Sequence, residues 1–405
     1  MNQPPLPLSR RHVLRLGAGA FVTFGLGGRR LQAGQQERTA GRTDDGGNLV
    51  LVQLSGGNDG LSTLVPHGDD AYYRARSSTA VDASEVLRID DAVGLHPALK
   101  ALHARYQEGG LAIVQGVGYP HPNRSHFKSL DVWHAADPRG RRVGTGWIGR
   151  LAETAFAGYD PLRVVHVGAT VPFSLVSAER PPIAFLSPSA YRRIGFDEGA
   201  PVMEGGRDEG RGGALDHLQR VALDAQASSV RLREAVAAYA PRVDYPAQPL
   251  AHGLRTIAAI LEANVGARVL SIEMSGFDTH NDQRRRHDRQ MQQLDEALGA
   301  FLADLGESDA GRRTTVAVFS EFGRRVAENG SRGTDHGTAG PLLVAGAEVA
   351  GGLYGKAPSL TDLDDGDLVH TTDFRSVYAT LIGKHFPIAP REVLGKRYET
   401  LGFLS

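Results

Sequence analysis

The chain has 405 residues, 41 % of them apolar and 22 % charged, with 45 Lys and Arg against 46 Asp and Glu. That composition excludes a disordered chain, a coiled coil and a membrane bundle, and 50 glycines without a triplet period exclude a collagen. A net charge of −1 gives no reason to expect nucleic acid, and the absence of cysteine excludes disulfides, thiolate metal sites and a cysteine nucleophile.

Met1 to Ala33 carry five arginines and no acid. Ser9-Arg10-Arg11-His12-Val13-Leu14 lead into a weakly apolar run from Leu16 to Gly28, followed by Leu31-Gln32-Ala33. A paired arginine ahead of a short Gly- and Ala-rich stretch resembles a twin-arginine export signal. Residues 1–33 are therefore expected to be removed after engaging the twin-arginine export machinery, which carries folded proteins. The apolar run is shorter than the ~20 residues of a membrane span. The mature chain is expected in the periplasm or outside the cell, and not as an integral membrane protein. Taking five arginines from 45 basic residues leaves 40 against 46 acids, so the mature chain is mildly acidic. Residues 34–47 read as a polar, Gly-rich linker.

The body of the chain, 48–405, alternates strand, loop and helix. Residues 48–54 are a continuous apolar run, as in a strand buried on both faces, and end in Ser55-Gly56-Gly57-Asn58-Asp59-Gly60. A helix is expected over 98–108, a strand over 111–117, and helices over 125–135, with Ser125 as N-cap, and 146–157. A strand is expected at 163–167. Residues 168–250 read as an insertion or cap, Pro- and Gly-rich over 170–215, with a helix over 217–240. Helix 249–263, strand 268–274, helix 283–305, strands 314–319 and 341–345, and helix 372–382 follow. Length alone allows two or three domains at about 150 residues each. The alternation instead implies one large three-layer α/β/α sandwich on a mostly parallel sheet.

In such sheets ligands bind at the carboxyl ends of the strands, and the polar clusters fall there: Asp59, Ser125, Asp278 with His280, and Glu321 with Asp335 and His336 in the following loop. Asp, Glu and His without Cys form a hard-to-borderline ligand set suited to Zn, Mn, Mg or Ca. Asp278 and His280 point the same way from an extended segment. Together with His336 they make three ligands with an open position, as a catalytic metal needs. Asp59 and Glu321 are candidates for a second metal, giving one or two ions per chain, and two metals can clamp a phosphate. Ser125 at a helix start suits an activated hydroxyl or an anion. Arg124 and His126 offer anion contacts. Each has a plainer reading too: Ser125 as a cap, Asp59 as a turn residue, the Asp278-Thr279-His280 segment as an ordinary loop. His287, behind Arg284-Arg285-Arg286, reads as a surface residue, and Trp133 as packing.

Leu-Ser-Gly-Gly-Asn-Asp-Gly (54–60), Asn-Arg-Ser-His-Phe (123–127), Gly-Phe-Asp-Thr-His (276–280), Ser-Glu-Phe-Gly-Arg (320–324) and Thr-Asp-His-Gly (334–337), with the paired-arginine signal, resemble an exported bacterial family known as domain of unknown function 1501. That family looks like a branch of the alkaline-phosphatase-like superfamily, which includes sulfatases. The resemblance implies an alkaline-phosphatase-like fold with a two-metal centre. It places Asp59 as the acid after the first strand, Ser125 as the nucleophile, Asp278 and His280 at one metal, Glu321 at the Asp of an Asp-His-Gly segment, and His336 as the last ligand. The His of that segment is Phe322 here, so one ligand of the second metal is missing unless His126 or a water replaces it.

Two functions follow as expectations. One is an exported metal-dependent hydrolase of phosphate or sulfate esters, on a small-molecule or polymer substrate. The other, motivated by Phe322, is a non-catalytic exported binding or accessory protein that keeps the fold with a degenerate metal site. A dinucleotide-binding loop is disfavoured, because Gly56 to Gly60 lack the pyrophosphate spacing.

Overall fold

The computed structural model describes residues 46–137, 139, 144–158, 160–187 and 227–404. The expected signal segment 1–33, most of the expected linker, residues 188–226 of the expected insertion and the start of its expected helix lie outside the described residues. Nine strands form the main sheet: β1 (Asn48–Ser55), β2 (Leu111–Gly118), β3 (Val164–Val167), β4 (Ile183–Phe185), β5 (Val269–Ser275), β6 (Thr314–Ser320), β7 (Gly340–Gly346), β8 (Gly352–Tyr354) and β9 (Thr372–Asp373). Their order is β8-β2-β7-β6-β1-β5-β3-β4, with β9 also paired to β2.

All neighbours run parallel except at β7, which is antiparallel to both β2 and β6. The other strands are reached by crossovers, which a parallel pair requires. The loop 321–339 joins β6 to its neighbour β7 without a crossover helix, so the chain returns in the opposite sense. β4 lies at the sheet edge, so the expected insertion contributes a strand to the main sheet.

The sheet is covered on both faces because the apolar residues of its central strands point to both sides. Val50, Val52 and Leu54 of β1 point into one core with helices α1 (Lys100–Gln107), α4 (Pro249–Glu262) and α5 (Gln283–Leu305). Leu49 and Leu51 point into the other, with α2 (His126–Ala135), α3 (Trp147–Ala155) and α6 (Phe374–His385). Alternation along one strand thus feeds two helical layers. Trp133 packs as expected, stacked on Phe319 and Phe374 at 5.4 and 4.4 Å between ring centres. No helix among the described residues is long and apolar enough to cross a membrane.

His287 departs from the sequence expectation. It is buried on the inner stripe of α5, with Nε2 3.1 Å from Asn58 Oδ1. Position 287 lies one turn before Met291 on the stripe continued by Leu294 and Leu298, so helical geometry turns it inward despite the arginines beside it.

Three buried imidazoles resist protonation. Burial pushes His166 and His385 down to about 4 and His287 down to about 3. An unfolded chain takes up these protons below about pH 6.5, so between about pH 6.5 and 4 it binds more protons than the fold, and stability falls as pH falls. Urea unfolding at about pH 7 and about pH 5 is expected to show a lower midpoint at the acidic value; equal midpoints would contradict it.

Candidate metal centre

Strands β1, β5 and β6 finish level, with Ser55 opposite Ser275 and Leu54 opposite Ser320. Their turns are therefore adjacent. Gly56 and Gly57 both have positive φ, 118° and 75°. A Cβ on Gly56 would stand 2.4 Å from the Asp278 nitrogen, and one on Gly57 2.2 Å from the Phe322 ring. Glycine is required on both counts, conformation and close approach. Phe277 is fully buried, a burial worth roughly 1.5–3 kcal/mol, and anchors the turn that presents Asp278.

Arg324, itself buried, stitches these turns together. It donates to the carbonyls of Gly57 (2.7 Å), Gly56, Phe277 (3.0 Å) and Thr334 (2.8 Å), and to Asp278 Oδ1 (2.8 Å). Partial burial works against the Asp278 charge, but Arg324 and His336 hold its carboxyl well below the usual range.

Three imidazoles turn the same nitrogen toward that oxygen. His280 Nε2 and His336 Nε2 lie 3.0 Å from Asp278 Oδ1, and His126 Nε2 lies 3.5 Å away. Each ring is oriented through Nδ1: His126 by Glu321 Oε1 at 2.8 Å, His336 by the Arg124 carbonyl at 2.7 Å, His280 by Asp335 Oδ1 at 3.2 Å. All three partners are acceptors, so a proton on each Nδ1 would leave the Nε2 lone pairs facing the centre of the cluster, the tautomer a metal would take up. Second-shell acceptors of this kind fix the tautomer of metal-bound histidines. His280 Nε2 and His336 Nε2 stand 2.9 Å apart, and His126 Nε2 is buried with no hydrogen-bond partner. In that tautomer the set of three imidazoles and a carboxylate fits a divalent metal. His126, Asp278 and His336 form the one metal-capable group among the described residues, with ligand atoms within 4.8 Å of one another, and His280 adjoins it. Glu321 holds the His126 pKa up through its hydrogen bond, whereas burial pushes His336 down.

The remaining expected residues divide. Glu321 stands behind His126: Oε1 accepts from its Nδ1 and from the Gly56 amide (2.9 Å), and Oε2 accepts from Ser320 Oγ (3.1 Å). Asp59 is not brought to the cluster. It is fully buried, with Arg76 donating to both oxygens (2.5 and 2.9 Å), Ser62 at 2.8 Å and Gln283 at 2.5 Å. Burial opposes its charge, but Arg76 holds its carboxyl far below the usual range. The second metal expected of Asp59 and Glu321 therefore has no assembled ligand set among the described residues. Phe322 fills that side instead, its ring 4.9 Å from those of both His126 and His336. The Arg124 guanidinium, expected to meet an anion, is held by Asp365 (2.7 Å) and Asp367 (3.3 Å). His126, expected at an anion or in place of the ligand lost at Phe322, faces the cluster as a fourth ligand candidate. Ser125 occupies the N-cap position of α2, exposed, and its side chain makes no cap hydrogen bond.

Arg324, Arg76 and Gln283 carry roles the sequence did not single out. The Gln283 amide donates to Asp59, while its Oε1 accepts from Thr279 Oγ1 (3.0 Å) and Thr334 Oγ1 (2.5 Å). Thr279 lies between two ligands and Thr334 two residues before a third, so this clamp ties both ligand loops to the Asp59–Arg76 pair.

The chain belongs to the DUF1501 family of proteins of unknown function, whose family model matches residues 47–386. No curated protein matches it. Among solved structures it is similar to a protein in the alkaline phosphatase superfamily from Vibrio parahaemolyticus, at 10 % identity and TM-score 0.42, covering 87 % of this chain and 70 % of that one. It is also similar to a 2-O GAG sulfatase, at 10 % identity and TM-score 0.35, covering 76 % of this chain and 66 % of the sulfatase. The C-terminal periplasmic domain of EcEptC from Escherichia coli, in complex with Zn, matches at 10 % identity and TM-score 0.35, over 75 % of this chain and 74 % of that one.

Two substitutions separate clamp from ligand. Asp59→Ala strands a buried guanidinium and is expected to cost about 3–5 kcal/mol of stability. Gln283→Leu is expected to leave the fold intact and weaken metal affinity about 10–100-fold. Denaturant unfolding and competitive metal titration check both. An Asp59→Ala protein of wild-type stability that no longer binds metal would restore Asp59 as a ligand.

Proposed function

We propose that the chain is an exported, metal-dependent hydrolase of phosphate or sulfate esters, built around one divalent ion held by His126, Asp278, His280 and His336. The observation that carries this is the convergence of three Nε2 atoms on Asp278 Oδ1, each ring oriented through Nδ1 by a fixed acceptor. Imidazole-rich sites suit Zn or another transition metal, whereas Ca and Mg favour all-oxygen sets. Held there, such an ion supplies Lewis acidity toward an ester oxygen.

The chain's own groups divide the remaining work. Glu321, Asp335 and the Arg124 carbonyl keep the imidazoles oriented. Asp278 is half exposed, which leaves the cluster open to a substrate. The Ser125 hydroxyl, one residue from His126 at the first turn of α2, is free to attack the ester or to hydrogen-bond its oxyanion. The accessory-protein reading is favoured by one observation, the Phe322 ring where a second metal's ligand is expected.

Elemental analysis of the mature protein is expected to find about one metal per chain, as four ligands define one centre. Chromogenic phosphate and sulfate esters are expected to be hydrolysed. His280→Ala and His336→Ala should lose both metal and turnover, whereas Ser125→Ala should lose turnover and keep metal. Metal-loaded protein that turns over neither ester would favour the accessory reading, and metal-free protein would overturn both the centre and the hydrolase.

A further inference from the structure

Beside the metal centre lies an open cleft of ≈ 650 Å³ lined by Ser78, Asn281 and Asp282 and by five arginines, Arg284, Arg285, Arg286, Arg289 and Arg332. We infer that this cleft docks a sulfated or phosphorylated polysaccharide, leading one of its ester groups to the metal centre. The inference deepens the proposed hydrolase by naming its substrate class, and rests on that reading for what happens after docking.

The charges are in excess locally. Arg332 pairs with Asp282, and Arg284 with Glu85 and Asp288. Arg286 reaches only the Asn281 side-chain oxygen at 3.4 Å. Arg285 and Arg289 are exposed and make no ion pair among the described residues. This contrasts with the rest of the mature chain, where acids outnumber bases.

The position of the arginines raises their energy in the free protein. Arg284, Arg285 and Arg286 occupy the start of α5, whose first turn holds no acid. The helix dipole makes that end positive and the N-cap Asp282 carboxylate is taken by Arg332, so the three arginines set like charge against like. An anion bound across the cleft relieves both. Guanidinium forks match tetrahedral oxyanions with paired hydrogen bonds, and several unpaired forks call for several anionic groups on one chain. No aromatic ring lines the cleft, so it lacks the stacking platforms of single-stranded nucleic acid sites.

The cleft and the metal centre share their backbone. Asn281 and Asp282 directly follow His280, and the Asp282 and Gln283 amides donate to the Ser331 and Arg332 carbonyls in the loop that carries His336. Asn329 donates to the His280 carbonyl and to Asp335. A polymer seated on the arginines therefore runs up to the ligand loops.

The test is fluorescence anisotropy of labelled heparin oligosaccharide and of a phosphorylated mannan oligosaccharide with the mature protein, beside single-stranded DNA and polyglutamate of similar charge. Binding of either sugar is expected, weakening steeply between about 50 and 200 mM salt as counterion release requires, and the tighter one names the source of the ester. Arg285→Glu with Arg289→Glu, both exposed, should weaken binding about tenfold or more while leaving metal content unchanged. His280→Ala should lose metal and keep sugar binding. No sugar binding at low salt, equal binding of DNA or polyglutamate, or binding untouched by the double reversal would overturn the inference. Hydrolysis of small esters without polymer binding would sink the docking site alone, and polymer binding without any ester turnover would sink the hydrolase alone.

Discussion

The Arg324 guanidinium is the element on which the site depends. A buried cation is stable only when every N–H meets an acceptor. Here the acceptors come from the β1 turn, the β5 turn and the loop 321–339. Satisfying one side chain therefore fixes three loops with respect to one another. Its contact with Asp278 also keeps that carboxylate ionised at the mouth of the cluster, and around Oδ1 the imidazoles are arranged. Glu321, from the same Ser-Glu-Phe-Gly-Arg segment, orients His126 from behind. One five-residue stretch thus supplies a fixed charge, a histidine partner and the apolar ring that bounds the centre.

A second buried arginine performs a parallel task deeper in the fold. Arg76 neutralises Asp59 and also donates to the carbonyls of Arg325 and Val326, on the same loop that Arg324 holds. Asp59 and Asp278 each follow a parallel strand and each meet an arginine, yet their uses differ with their exposure. The first has both oxygens consumed by internal donors. The second keeps one face toward solvent, where Nε2 atoms and an ion can reach it. Gln283 links the two levels, because its amide reads Asp59 while its carbonyl gathers the threonines of the ligand loops.

Much of this was legible in the sequence, for identifiable reasons. The buried strands and the long helix α5 declared themselves through continuous apolar runs and 3.6-residue spacing, and the bounds of α5 match at both ends. Asp278, His280 and His336, singled out because Gly-flanked polar residues at strand ends have few structural uses, come together in the fold. Asp59 satisfies the same criterion, but its partner lies 17 residues downstream, just past a short helix that periodicity does not reveal. Arg324 and Gln283 were missed because a long polar side chain carries no sign of inward orientation except through its tertiary partners. For His126 the sequence leaves anion contact and replacement ligand both open, because nothing local to α2 shows that Glu321 turns its ring. His287 was legible in principle, since it shares the stripe of Met291, Leu294 and Leu298, but the neighbouring arginines obscured the period. β8 and β9 are too short to show an alternation, and β7's direction follows from loop topology, not from its residues.

The central claim is that three imidazoles and one carboxylate from three separate loops form a single metal centre. X-ray absorption at the edge of the metal carried by the purified mature protein tests it most directly. The account predicts one class of ion with a nitrogen- and oxygen-only first shell and the outer-shell scattering of three imidazoles. A shell of oxygen alone, with no imidazole scattering, or a protein that binds no metal at all, would contradict it.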